Sequence, residues 1–251
     1  MVAGGLLIGG VVGVVLSGGF LYWEVGKFAT PQVPRTLFDE RRLVFAYTIG
    51  IFAGIPIAFP LAFLIDSMSH GYLISGFLEI AAFVFVTELA QWLLLRATYF
   101  GAGPAKAFYA IAFRAGISLV LILTIIQAAV TATVVDLPAL GLLAVQSFAL
   151  LLLCVSGALM SLRTGPGGGR PRGGPLPGAL FGGIGLFLIS LGWFFGPYLG
   201  IAASALAIAG AAVVYLRLRA AVLGRITPPV LVVEETGPTS PPPPPYGRIQ
   251  P

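Results

Sequence analysis

Asparagine is absent from this chain, and cysteine and histidine occur once each. A lone thiol, Cys154, cannot close an intrachain disulfide, and it excludes cysteine-rich metal sites and dithiol redox chemistry. His70 with its scattered carboxylates is too small a ligand set for a metal centre. Charge is also sparse. Only 9 % of residues are Asp, Glu, Lys or Arg, and the 14 basic residues are twelve arginines and two lysines. Asparagine is thermolabile, so its absence suits life at high temperature. The arginine bias is a weaker sign, because a GC-rich genome produces it too.

Signature motifs are missing as well. No phosphate-binding loop or dinucleotide fingerprint occurs, so the chain is not expected to hydrolyse nucleotides itself. The last apolar segment has no lysine for a retinal Schiff base, and no serine–histidine pair falls at membrane depth. Nothing supports an enzyme, and no cofactor or metal is implied.

What is present is hydrocarbon. The chain is 58 % hydrophobic with a mean hydropathy of +1.00. Seven apolar segments cover residues 2–23, 43–65, 72–95, 115–135, 137–162, 176–195 and 197–216, each 20 to 26 residues long. About 20 apolar residues cross a hydrocarbon core of roughly 30 Å. Lipid offers the backbone no hydrogen bonds, so each segment must be a helix. The Leu/Ala/Gly runs lack the alternation of a barrel strand. The expected fold is therefore all-α: a seven-span transmembrane bundle within residues 1–226, then a disordered proline-rich tail over residues 227–251.

The basic residues are sorted by connection. Lys27, Arg35, Arg41 and Arg42 follow the first segment, and Arg96, Lys106 and Arg114 lie between the third and fourth. Arg163, Arg170 and Arg172 lie between the fifth and sixth, and Arg217, Arg219, Arg225 and Arg248 follow the last. The positive-inside rule then gives an N-out, C-in, multi-pass protein of the cell membrane. The charge-free connections are short, which leaves them little room for charge. The first segment lacks a basic n-region and a small-residue cleavage site, so it is expected to be retained.

Small residues mark packing seams. Gly5, Gly9, Gly13 and Ser17 recur every fourth position, and Gly178/Gly182 and Gly192/Gly196 repeat the pattern in the sixth segment. Such stripes let helix backbones approach closely in lipid. The plainer reading is packing inside the bundle; the alternative is an oligomer contact, most readily through the first helix. In the second segment Gly54, Pro56 and Pro60 interrupt the backbone ladder, as a proline kink or as the broken helix of a transporter site.

Candidate polar sites are few. Glu79 and Glu88 lie inside the third segment, where a carboxylate costs about 3 kcal/mol and so faces the bundle interior or water. They are nine positions apart and half a turn out of phase, so they cannot share one helix face. With the fourth helix starting near Ala107, Arg114 reaches the depth of Glu88, and an ion pair between them is expected. Gln91, Gln127 and Gln146 add interhelical hydrogen-bonding groups, or line a polar path if they share a cavity with a glutamate. Asp66, His70 and Asp136 belong to the outer surface. The glycine-rich basic loop at residues 163–175 and the Pro243-Pro244-Pro245-Tyr246 run of the tail offer cytoplasmic docking segments.

One loop carries a family likeness. The run Gly26-Lys27-Phe28, then Thr30-Pro31-Gln32-Val33-Pro34, then Phe38-Asp39-Glu40-Arg41 entering an apolar helix, resembles the CedA family, the polytopic membrane proteins of the crenarchaeal DNA-import (Ced) system. Size and multi-span layout are similar too. The resemblance implies a membrane channel component that takes up DNA between cells, driven by a separate cytoplasmic hexameric ATPase alongside small membrane partner subunits. Seven mostly apolar helices cannot by themselves enclose a hydrated passage for a nucleic-acid strand. A homo-oligomer or partner subunits are therefore expected, with the glycine-striped first helix a candidate contact. Two other readings remain: a small-solute or ion transporter using Glu79 or Glu88, and a non-transporting membrane scaffold.

Overall fold

The computed structural model describes residues 2–26, 39–96, 99, 106–132, 136–162 and 175–222. These residues form seven helices: α1 (Val2–Gly26), α2 (Glu40–Ser69), α3 (Leu73–Arg96), α4 (Lys106–Ala132), α5 (Leu137–Ser161), α6 (Pro175–Phe195) and α7 (Pro197–Val222). No strand occurs among the described residues. All seven helices are long and apolar enough to cross a membrane, which is the architecture of a multi-pass membrane protein. The basic loop at 163–174, most of the loop carrying the family likeness, and the tail from 223 onward lie outside the described residues.

The helices extend past the apolar runs wherever a charged residue has a use at the end. The apolar stretch 115–135 covers only the later part of α4, which begins at Lys106, one residue before the expected Ala107, so Arg114 is inside the helix as its pairing with Glu88 requires. α1 continues through Glu24, and α7 continues through Arg217 and Arg219. A hydropathy run marks the hydrocarbon-bathed part of a helix, whereas the backbone ladder continues until a cap or a turn stops it. Asp39 caps α2 by accepting from the Arg41 amide at 2.9 Å, and Asp136 caps α5 by accepting from the Ala139 amide at 2.9 Å. Gly71 and Gly196 make the tight turns after α2 and α6, with φ of +81° and +94° that only glycine adopts cheaply. A single residue, Gly196, thus separates two distinct helices. α2 continues as one helix through Pro56 and Pro60, although each proline removes a ladder hydrogen bond, so no broken-helix site forms there.

α4 is the axis of the bundle. Of its apolar stretch 83 % is buried, against 28 % for α1, α2, α3 and α7. α1 and α2 pack on one side of it and α5 on the other; α6 and α7 pack on α5, and α3 bridges α2 to α6. The tightest crossing joins α2 to α4. A Cβ on Gly50 would collide with the Phe113 carbonyl, and one on Gly116 with the Tyr47 carbonyl. Gly54 continues the seam, where a Cβ would stand 2.9 Å from Val120.

The small-residue stripe of α1 faces inward. A Cβ on Gly9 would lie 3.1 Å from the Leu123 backbone, and one on Gly13 would lie 3.0 Å from the Leu119 carbonyl. Ser17 donates to the Gly13 carbonyl at 2.6 Å and meets the Tyr47 hydroxyl of α2 at 2.9 Å. Gly5 opposes the Gln127 amide. The seam is an intramolecular one with α4, so it is not the face that α1 leaves open. That face carries Leu7, Val11, Val14 and Val15.

Candidate functional site

Successive antiparallel helices gather the charges at two ends. At one end stand Arg41, Arg42, Arg96, Lys106, Arg217 and Arg219; at the other stand Asp66, His70 and Asp136. Aromatic partners support the basic end: the Arg42 guanidinium lies 5.2 Å from the Tyr99 ring centre, and that of Arg96 lies 3.7 Å from the Trp92 ring centre.

Inside the basic half lies a buried polar cluster shared by three helices. Glu88 and Gln91 come from α3, Arg114 from α4, and Ser161 from the last turn of α5. The Arg114 guanidinium donates to Glu88 Oε1 at 2.5 Å, and its Nε donates to Gln91 Oε1. Gln91 passes its own Nε2–H to the Ala158 carbonyl at 3.3 Å. Ser161 donates to Glu88 Oε2 at 2.8 Å. The two charged side chains are only 5 % and 7 % exposed. Their charges cancel, and both carboxylate oxygens are engaged, which is what burial of an ion pair demands.

The approach of α6 depends on Gly178. A Cβ there would stand 2.5 Å from Ser161 Oγ and 3.1 Å from Glu88 Oε1, so only glycine lets α6 cover the cluster. Gly182, one turn further on, has ordinary spacing, with Val84 3.9 Å from its would-be Cβ. A cavity of about 30 Å³ remains beside Glu88 and Arg114, bordered by Thr87, Cys154 and Gly157. That is room for water.

Glu79 is placed apart from this cluster. It sits six residues into α3, about 9 Å from the opposite end. Ser67, near the end of α2, donates to its Oε1 at 2.8 Å. Its Oε2 is buried without a hydrogen-bond partner among the described residues. The two glutamates thus occupy opposite halves of the bundle. Gln127 lies in the α1–α4 seam, and Gln146 gives its Nε2–H to the Ile189 carbonyl of α6 at 3.1 Å. Glu79, Gln127 and Gln146 therefore stitch seams separate from the Glu88–Gln91–Arg114 cluster, and the described residues place no shared polar path joining them.

A second buried ion pair escaped the sequence reading. Arg219 of α7 donates to Glu24 of α1 at 2.6 Å, with Glu24 only 1 % exposed and Arg219 28 % exposed. This pair ties the first helix to the last across a sequence separation of 195 residues. The one available signal was that Glu24 directly follows its apolar run and Arg219 lies three residues beyond its own, at the same end of the bundle. Comparison with protein-family models, with curated proteins and with solved structures finds no match for the chain.

Proposed function

We propose that the chain is an integral subunit of a DNA-import machine in the cell membrane, oriented N-out and C-in. The observation that carries the proposal is the single basic end, combined with the CedA-like run that leads into α2 at that end. Arg41, Arg42, Arg96, Lys106 and Arg217 share that end with Asp39, which pairs with Arg42 at 3.2 Å, and with Glu40, and the net positive charge left there suits the docking of a separate hexameric ATPase or contact with DNA phosphates. The axis itself is filled by α4, so DNA passes between copies of the chain or between it and small membrane partner subunits. The outward faces of the helices supply those contacts, because the α1 stripe is spent on α4.

A non-transporting scaffold is the second reading, favoured by the Glu88–Arg114 cluster, in which the two buried charges neutralise each other and each carboxylate oxygen already accepts one hydrogen bond. A small-solute transporter using Glu79 and Glu88 has less support, because the two lie in opposite halves. Deletion of the gene in its host, scored by acquisition of a marker from a donor strain, tests the proposal. Loss of uptake restored by the wild-type gene supports it, and undiminished uptake refutes it. Loss of partner assembly with uptake intact selects the scaffold.

A further inference from the structure

On the flank of the bundle, α3 and α6 diverge to leave a slot that opens sideways, into what is hydrocarbon when the seven helices lie in a membrane. Its walls are apolar, formed by Ile80, Val84, Ala179 and Gly183 among others. Phe77 and Phe187 close its far end as stacked rings 5.4 Å apart. Glu88 closes its near end and is its only ionisable wall residue among the described residues. From Phe77 to Glu88 the slot is eleven residues long, about 16 Å.

We propose that this slot binds a single-chain, long-chain alcohol of the membrane, with the hydrocarbon between the helices and the hydroxyl at Glu88. The length is bounded at both ends, and a gap between two neighbouring helices admits one chain. The head must be neutral, because Glu88 and Arg114 already cancel and an added charge would be buried without a partner. It must also donate a hydrogen bond. A carboxylate offers about four acceptor sites, and Arg114 and Ser161 occupy one on each oxygen. A hydroxyl meets both requirements. The inference needs only a membrane around the helices and is independent of the DNA-import reading.

The test is photolabelling of the purified full chain in nanodiscs with dodecanol carrying a diazirine in its chain. Label is expected on α3 and α6 peptides, and unlabelled dodecanol should compete about ten-fold better than its methyl ether, which cannot donate. Gly183→Leu fills the slot from a position whose added Cβ meets only Ile80 and Val84, both at 3.9 Å. Leu180→Trp blocks it from an exposed site, 60 % accessible, and serves if the first variant does not fold. Either folded variant should lose most of the label. Equal labelling of wild type and a folded blocked variant overturns the proposal. Equal competition by the ether overturns the hydroxyl assignment. A disulfide between two copies through Gly183→Cys, accompanied by absence of label, shows a second chain in the slot and overturns it also.

Discussion

Replacing Arg114 with methionine, while leaving Glu88 in place, isolates the energetic character of the buried cluster. The side chains are 5 % and 7 % exposed, so neither charge can turn to water when its partner is removed. Breaking one partner of such a pair costs about 3–5 kcal/mol, whereas removing both together is often near neutral. A hydrogen bond to a charged group is worth about 1.5–3 kcal/mol. The expected pattern is therefore uneven. Arg114→Met and Glu88→Gln each lose about 3–5 kcal/mol, the double variant loses far less than their sum, and Ser161→Ala, which removes one donor to the Glu88 carboxylate, loses about 1.5–3 kcal/mol. Reversible unfolding of the purified chain in mixed micelles, titrated with a denaturing detergent, measures all four. A single charge variant within about 1 kcal/mol of wild type, or a double variant equal to the sum, would refute the clamp.

Other perturbations read other seams. Gly50→Val and Gly116→Val should each cost more than the 1–3 kcal/mol typical of overpacking, because the added carbon meets backbone that cannot yield. Gly19→Ala and Gly210→Ala have nothing within 4 Å and should leave the same unfolding midpoint unchanged or slightly raised. Arg219→Leu should destabilise more than Glu24→Gln, because it strands a carboxylate that is 1 % exposed, while the freed arginine at 28 % exposure can reach water; the reverse order in thermal unfolding would count against the pair. For orientation, Ser69→Cys should react with an impermeant maleimide in whole cells, and Arg217→Cys only in inverted vesicles. Both measurements use a Cys154→Ala background, and the opposite result reverses the proposed topology.

The number of helices was legible because hydropathy and length are local properties. Depth arithmetic also brought Arg114 level with Glu88, since 1.5 Å per residue carries across two adjacent antiparallel helices. It did not place Gln91 on the guanidinium or Ser161 on the carboxylate, because those contacts depend on rotation about each helix axis. In a helix apolar on every side, nothing in the pattern specifies that rotation. The stripe at Gly5, Gly9 and Gly13 announced close packing without naming its partner. α4 took it through an ordinary surface of Leu119 and Leu123, which carries no matching small-residue signature. The Glu24–Arg219 pair was hidden for another reason: it joins the two helices most remote in sequence, and each residue alone looks like a loop charge.

The position of α4 has a consequence for synthesis. The most buried helix is the fourth to leave the ribosome, so α1 and α2 enter the bilayer with their glycine seams facing lipid. Close crossings such as Gly50 with Phe113 and Gly13 with Leu119 cannot form until residues near 119 have been inserted. Up to that point α2 has α3 beside it, while α1 still lacks its main partner. The arrival of α4 brings Arg114 to Glu88 on α3 and gives α1 and α2 a common surface in one step. A nascent chain arrested before α4 should therefore expose its small-residue faces to chaperones and proteases of the membrane, whereas one arrested after α5 has its axis already covered on two sides.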